Sequence, residues 1–286
     1  MKNYIKLMRV HHYIKNFLVF AALACSGQLF VIPKTLSALL GFLAFCMISS
    51  VIYIINDICD VEKDRHHPTK KNRPIASGKI SIRSAIILAI ALFILALICN
   101  MQIFSIEAIL LLFLYFILNL GYSFGLKNIP IVDITILVSG FLIRILYGSI
   151  ITGITISNWL YLTVISAAFY FALGKRRNEL KKINSDKTRK VLKSYPESFL
   201  DKNMYMCLTL TNVFYALWSM DKNTIAHYDS EYLIFTVPIV LLITMKYSMN
   251  IEGDSDGDPV EVLLHDKILI ALCLIYLVVI FTVLYL

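Results

Sequence analysis

Long apolar segments recur along this chain and constrain its fold more than any other feature. A membrane-spanning helix needs about 20 apolar residues, and it must satisfy its own backbone hydrogen bonds inside the bilayer. The composition agrees with repeated spans, since 58% of the residues are hydrophobic and only 16% are charged. We therefore predict an all-α polytopic membrane bundle of nine transmembrane helices, at residues 14–32, 35–57, 83–101, 104–124, 131–152, 157–178, 203–220, 231–249 and 266–286.

The positions of the basic residues predict the orientation of this bundle. Of the 27 Lys and Arg residues, 24 fall in the N-terminal segment, in loops on the same side of the predicted spans, or at the span ends next to those loops. Such a bias marks the cytoplasmic side, so we predict a cytoplasmic N-terminus, a location in the cell membrane and one domain, 1–286. The cytoplasmic loops are then 58–82, 179–202 and 250–265. The net charge of +8 follows this topology, and it indicates a lipid bilayer rather than nucleic acid as partner.

An acidic run continues the second apolar segment into the first of these loops. Asn56 is followed by Asp57, Asp60 and Asp64, whose i, i+3, i+7 spacing places the carboxylates on one face of a continuing helix. Carboxylates at a membrane surface are costly without partners, and Mg²⁺ is typically held by one or two carboxylates together with phosphate oxygens. The run predicts a Mg²⁺ site for a diphosphate. The alternative is a solvated helix end paired to neighbouring cations.

A basic stretch follows immediately, and two prolines interrupt any helix there. Lys70 and Arg73 lie between Pro68 and Pro74, in a loop that we expect to be rigid. Cations beside a metal–carboxylate site suit the phosphate oxygens that the metal leaves uncovered. The alternative is topological, because cytoplasmic loops are generally basic.

Together these two stretches resemble a known family. Asn-Asp-x-x-Asp-x-x-x-Asp followed by His-Pro-x-Lys-x-x-Arg-Pro resembles the first aspartate motif of the UbiA superfamily of intramembrane prenyltransferases. The resemblance implies a nine-helix bundle whose Mg²⁺-dependent diphosphate site faces the cytoplasm, with the three aspartates as catalytic metal ligands. It extends along the whole chain and implies substrate contacts at Lys15, Asn16, Asn56 and Tyr122.

The sequence departs from the typical pattern where a second aspartate motif is expected. Lys175, Arg176 and Arg177 stand there, and Glu179 is the one acid. This arrangement, like the acidic segment 252–266, is similar to a branch that transfers phosphoribosyl groups to polyprenyl phosphates. The resemblance implies 5-phosphoribosyl 1-diphosphate as donor and a decaprenyl phosphate-like acceptor, with Lys175 catalytic and both Arg176 and Glu179 contacting substrate. We expect segment 252–266 to close over the sugar phosphate; the alternative is a solvated loop.

One cation, Arg144, lies within a predicted span. It either meets the acceptor's phosphate and lines the cavity, or forms a structural pair with a carboxylate or tyrosine of another helix.

Two other activities stay open. One is a Mg²⁺-dependent prenyltransferase that moves a polyprenyl chain from its diphosphate to an aromatic or glycerol-phosphate acceptor. The missing second aspartate motif argues against it. The other is an anionic-lipid transporter, against which most spans lack deep charged residues.

Overall fold

A computed structural model of the chain describes residues 2–68, 70–181, 190–253, 255 and 257–286. Within these residues the structure is helical and contains no strand, as predicted. The α-helices are α1 (Lys2–Met8), α2 (Ala21–Ala24), α3 (Ile32–Cys59), α4 (Val61–Arg65), α5 (Ile82–Met101), α6 (Ile106–Phe124), α7 (Val132–Thr152), α8 (Asn158–Lys181), α9 (Glu197–Met220), α10 (Lys222–Tyr228), α11 (Val237–Glu252), α12 (Pro259–His265) and α13 (Lys267–Tyr285). Short 3₁₀ helices cover Val10–Phe20, Lys70–Asn72, Leu126–Asn128, Lys190–Ser194 and Tyr232–Thr236.

Six helical segments among the described residues are long and apolar enough to cross a membrane. They are α3, α5, α6, α7, α13 and the segment Tyr232–Glu252, which joins a 3₁₀ turn to α11. Large apolar side chains such as Ile87, Phe113 and Val278 are more than half exposed on them. Surface of this kind is unfavourable in water and favourable against lipid, so the chain is a multi-pass membrane protein.

The remaining three predicted spans differ from this picture. Segment 203–220 falls within α9, and segment 157–178 falls within α8 except for its first residue; the two helices have 24 residues each. Both helices are long enough to span, but they lie outside the six because polar and charged side chains dilute them. The structure therefore supports a multi-span helical bundle, without establishing the number nine.

The first predicted span is not a continuous α-helix. Val10–Phe20 is a 3₁₀ helix, and only Ala21–Ala24 continues as α-helix. Tertiary hydrogen bonds hold this segment against α3, since the hydroxyls of Tyr13 and Ser50 lie 2.7 Å apart and the Asn16 amide donates to Cys46 Sγ at 3.2 Å. Local apolar periodicity does not encode such contacts.

The chain forms two compact units, of which the first comprises Met1–Ala24, Gln28–Leu126 and Ile143–Thr155. Helix α3 is central in it and packs against the N-terminal 3₁₀ helix, α5 and α6. Phe45, Ile48 and Tyr147 form part of its core. Helix ends are capped locally: the Ser81 and Ser105 hydroxyls accept from the first turns of α5 and α6.

The second unit comprises Cys25–Gly27, Lys127–Leu142 and Ile156–Leu286. Helices α8 and α9 pack against each other along their length, and α11 packs against α9 and α13. Leu173, Leu200 and Met204 belong to the core of this unit. Aspartates cap three of its helices, because the side chains of Asp221, Asp258 and Asp266 accept from the first turns of α10, α12 and α13.

Gly148 gives a stability prediction for the first unit. A Cβ atom there would lie 2.0 Å from the backbone oxygen of Val19, which cannot move without shifting the 3₁₀ helix. Gly148→Ala should therefore destabilise the protein by at least about 2 kcal/mol, measured as a lower midpoint of thermal unfolding in detergent. The control is Gly121→Ala, whose Cβ would meet only the flexible end of Leu126 at 2.9 Å. An equally damaging control would contradict the explanation.

Candidate functional site

A pair of buried carboxylates lies where α3 ends and α4 begins. Asp57 is in the last turn of α3, Asp64 is in α4, and each is only 3% exposed. One nitrogen of Arg73, Nη1, donates to both: it lies 3.0 Å from Asp57 Oδ1 and 2.6 Å from Asp64 Oδ2. A single positively charged group thus bridges the two carboxylates.

A second arginine, Arg9, reaches the same site from the N-terminus. Its Nη2 donates to Asp57 Oδ1 at 2.7 Å, and its guanidinium lies 4.6 Å from the ring centre of Tyr53. The Arg9 backbone is left-handed, with φ 52° and ψ 49°, a conformation that costs an ordinary residue roughly 1–2 kcal/mol. Strained residues of this kind concentrate at functional sites. The family resemblance includes Arg9, but Arg9 was not among the predicted site residues.

The three predicted carboxylates do not lie on one continuous α-helix. Helix α3 ends at Cys59, and Asp60 has φ −95° and ψ 8°, so the helix does not continue through all three aspartates. The Asp60 carboxylate lies 3.8 Å from Lys63 Nζ. The prediction of one continuous helical face was therefore wrong, because the chain breaks the helix between the first and third aspartates.

The donor set nevertheless suits a divalent cation with a phosphate ligand. Among the residues that the structure describes, no three His, Cys, Asp or Glu side chains are placed to hold a metal by themselves. Mg²⁺ needs only one or two carboxylates when phosphate and water supply its other ligands. Because Arg73 Nη1 already sits between Asp57 and Asp64, these two oxygens can share one cation. The residues present fit a Mg²⁺–diphosphate complex.

Four other predicted contacts belong to the first unit. Asn56, in the last turn of α3, accepts through its backbone oxygen from the Asp60 N–H at 3.0 Å. Lys70 begins a 3₁₀ turn, and its N–H donates to His67 Nδ1 at 3.4 Å. Lys15 and Tyr122 are half-buried. Their roles as substrate contacts stay predictions.

Arg144 lies in a buried polar cluster of the first unit. Its Nε donates to Asn16 Oδ1 at 2.7 Å, and its Nη2 donates to the Tyr115 hydroxyl at 2.8 Å. The guanidinium also lies 4.7 Å from the Tyr115 ring centre and 5.3 Å from that of Phe45. The sequence-based alternative of a tyrosine partner is thus present, and Asn16 and Arg144, both predicted site residues, are in direct contact.

Lys175 is held by the acidic segment of the second unit. Its Nζ lies 2.8 Å from Asp258 Oδ2, while the other Asp258 oxygen accepts from the Val260 N–H at 3.1 Å and begins α12. Gly257 allows this approach: it has φ +76°, and a Cβ there would lie 2.8 Å from the Lys175 Cα. Asp258 is thus the residue of segment 252–266 that contacts Lys175, and closure of this segment over the sugar phosphate stays a prediction. Asp254 and Asp256 lie outside the described residues.

Arg176 and Glu179 belong to a buried charge cluster. Arg176 is fully buried; its Nε donates to Asp133 Oδ2 at 2.5 Å and its Nη1 to Glu179 Oε2 at 2.7 Å. The Tyr195 hydroxyl donates to the other oxygen of Asp133 at 2.7 Å. Burial, together with this bond, raises the pKa of Tyr195 to about 12. Arg176 therefore links α7 to α8 within this unit.

Arg177 and Asn178 fix the same part of α8 to its neighbours. Arg177 donates to Asp201 at 2.5 Å and to Glu252 at 2.7 Å, so two carboxylates from different helices balance one guanidinium. Asn178 donates to the backbone oxygen of Ile251 at 2.9 Å. None of these acidic partners follows from local spacing. The predicted loop 179–202 begins within α8, and residues 182–189 of it lie outside the described residues.

Comparison with known proteins agrees with this architecture. The UbiA prenyltransferase family matches residues 16–265. Similar relatives include the decaprenyl-phosphate phosphoribosyltransferase of Corynebacterium glutamicum, 34% identical over 94% of this chain and 83% of the relative. The enzyme of the same name from Mycolicibacterium smegmatis is 35% identical over 93% of this chain and 87% of its own.

Among solved structures, a UbiA homologue from Archaeoglobus fulgidus bound to GPP and Mg²⁺ has a TM-score of 0.71 and 20% identity. The alignment covers 99% of both chains. At this identity the similarity establishes the fold.

Asp133 gives a prediction for the second unit. Asp133→Asn keeps the side-chain shape but leaves the fully buried Arg176 without that carboxylate. We expect a loss of about 3–5 kcal/mol, seen as a lower thermal midpoint. The matched control is Glu62→Gln, which breaks an exposed pair with Arg65 and should cost less than about 1 kcal/mol. Equal effects of the two changes would show that the buried cluster is not structural.

Proposed function

The chain belongs to the UbiA prenyltransferase family, and from this premise we propose that it is a membrane phosphoribosyltransferase. It moves the 5-phosphoribosyl group from 5-phosphoribosyl 1-diphosphate to a polyprenyl phosphate and releases diphosphate. The observation that carries this proposal is the identity of 34–35% to decaprenyl-phosphate phosphoribosyltransferases over nearly the whole chain. The carboxylate pair and its arginines supply the chemistry that such a donor requires.

In the reaction, the bond between ribosyl C1 and the diphosphate oxygen breaks, and a bond from C1 to a lipid-phosphate oxygen forms. The lipid phosphate is already anionic, so the reaction needs no strong general base. Mg²⁺, when bound, neutralises charge on the leaving diphosphate. Asp57 and Asp64 would hold it, consistent with the Mg²⁺ bound to the Archaeoglobus homologue. The prediction that Asp60 is a third ligand is retained in this proposal.

The two arginines that contact the carboxylate pair contribute to the proposed reaction through their position and their charge. Arg73 and Arg9 both lie against Asp57, so their guanidinium donors are close to the proposed metal site and can turn to diphosphate oxygens. Preorganised cations of this kind stabilise charge that develops on a leaving group. Lys175, held by Asp258, is proposed as a separate phosphate-binding cation. Lys15, Asn16, Asn56, Lys70, Tyr122, Arg144, Arg176 and Glu179 remain proposed substrate contacts.

For the topology, we propose nine spans with the N-terminus and the site on the cytoplasmic side of the cell membrane. The support is the distribution of cations, 24 of 27 on one predicted side. In this proposal α8, α9 and segment 14–32 provide the three additional spans, and residues 1–286 act as one domain.

A product assay tests the activity. Purified protein, radiolabelled 5-phosphoribosyl 1-diphosphate, Mg²⁺ and decaprenyl phosphate should yield label that extracts with lipid. Chelation of the metal should remove the product, and Mg²⁺ should restore it. A second assay uses labelled polyprenyl diphosphate in place of this donor. Transfer of that label to an aromatic or glycerol-phosphate acceptor would favour the prenyltransferase alternative. Movement of lipid without any covalent product would favour a transporter.

Single substitutions test the carboxylates. Asp57→Asn and Asp64→Asn should each lower turnover by at least about 100-fold, because loss of several kcal/mol of charge stabilisation is expected when a metal ligand is removed. Glu62→Gln neutralises an exposed carboxylate of the same segment and should retain activity within about threefold. Activity of the Asp57 and Asp64 variants near that of the control would overturn the assignment of the site.

A further inference from the structure

The arginine between the two carboxylates occupies the position that the site offers to a cation. Arg73 Nη1 contacts Asp57 and Asp64 at 3.0 and 2.6 Å, and Arg9 adds a contact of 2.7 Å to Asp57. Both carboxylates are almost completely buried. A free metal ion and the Arg73 guanidinium therefore compete for the same oxygens.

The competition favours the arginine as long as no other anion is present. Two carboxylates buried side by side repel each other, so positive charge must stay between them. Arg73 is covalently tethered and hence present at a high effective concentration. Mg²⁺ also gives up its waters reluctantly. Free metal alone should bind this site weakly.

A diphosphate changes the balance because it gives Arg73 another anionic partner. The backbone around Arg73 is fixed: its N–H donates to the Lys70 oxygen at 2.9 Å, and its own oxygen accepts from the Ser77 N–H at 2.9 Å. Pro74 follows directly, with φ restricted by its ring. A change of partner at Arg73 would therefore involve its side chain, while these backbone hydrogen bonds stay in place.

We propose that Arg73 is a resident counter-ion that makes metal binding conditional on a diphosphate. Arg73 bridges Asp57 and Asp64, and on arrival of a metal–diphosphate complex it would move to the diphosphate and leave the two carboxylates to hold the metal. This inference rests on the proposed function, in which the two carboxylates hold Mg²⁺. It makes Arg73 a specificity-determining residue: it rejects free metal and accepts metal that comes with a diphosphate.

The coupling is reciprocal, so it can be measured from the metal side. If diphosphate tightens metal binding by some factor, the metal tightens diphosphate binding by the same factor. Removal of Arg73 should strengthen binding of metal alone and at the same time reduce this factor. An ordinary loss of a substrate contact would weaken diphosphate binding without improving that of free metal.

The test is equilibrium dialysis of radioactive Mn²⁺ against the full-length protein in detergent, with and without inorganic diphosphate at equal free Mn²⁺. For the unmodified chain we expect at least tenfold tighter Mn²⁺ binding when diphosphate is present. Arg73→Gln should bind Mn²⁺ alone at least tenfold more tightly than the unmodified chain, and diphosphate should add little.

The matched control is Arg65→Gln, which removes the same charge one residue from Asp64. Arg65 pairs with the exposed Glu62 at 2.8 Å and does not bridge the buried carboxylates, so its loss should change Mn²⁺ affinity less than threefold. Arg73→Lys serves if the glutamine variant does not fold. Its single ammonium should hold the carboxylates less well, and Mn²⁺ alone should again bind more tightly than in the unmodified chain.

Two failures are distinguishable. If Mn²⁺ with diphosphate binds the unmodified chain in an Asp57-dependent way, but the Arg73 variants bind Mn²⁺ alone no better than Arg65→Gln, the counter-ion role is overturned and the metal site stands. If Mn²⁺ with diphosphate does not bind, or binds equally well after Asp57→Asn, the proposed metal site is itself wrong.

Discussion

Burial of two carboxylates beside each other is the constraint that shapes the candidate site. Asp57 and Asp64 have little access to solvent, and the energy of burying a negative charge is large unless a cation lies next to it. Arg73 satisfies both carboxylates with one nitrogen, and Arg9 adds a second guanidinium. These contacts connect α3, α4, the basic loop and the N-terminal segment. The same charges form the site that we propose for a divalent cation.

The second unit contains buried arginines that carboxylates neutralise, whereas the first contains buried carboxylates that arginines neutralise. Arg176 is fully buried between Asp133 and Glu179, and Arg177 is balanced by Asp201 and Glu252. A cation in such an environment must be held by carboxylates, so these arginines are more constrained than a mobile phosphate-binding residue. Lys175 differs from them, because its side chain is 29% exposed and it has a single flexible ammonium beside Asp258.

Much of the fold was predictable because a membrane-spanning helix requires a continuous run of apolar residues, which is visible in the sequence. The predicted spans 83–101 and 131–152 match α5 and α7 to within one residue at each end. Family membership, expected from the aspartate motif, is confirmed by the match over residues 16–265. The break at Asp60 and the 3₁₀ character of Val10–Phe20 were not predicted. The 3₁₀ segment makes tertiary hydrogen bonds to α3 through Tyr13 and Asn16, and residue periodicity does not encode such contacts.

Ion pairs between residues that lie far apart in the sequence could not be predicted either. Spacing identified Asp57, Asp64 and Arg73 as candidates and the structure brings them together. Arg9 lies 48 residues from Asp57 along the chain, and Lys175 lies 83 residues from Asp258. Charge composition shows that such residues need counter-ions, but only the folded chain identifies which ones. Binding and turnover measurements then decide their roles in catalysis.

In the proposed reaction, Asp57 and Asp64 hold the metal of a phosphoribosyl diphosphate complex. An experimental structure of the protein with Mn²⁺ and 5-phosphoribosyl 1-diphosphate tests this assignment, since anomalous scattering locates Mn²⁺ independently of the protein. We predict one Mn²⁺ coordinated by both carboxylates and by diphosphate oxygens, with Arg73 moved onto the diphosphate. Mn²⁺ bound elsewhere, with Arg73 still bridging Asp57 and Asp64, would contradict the assignment.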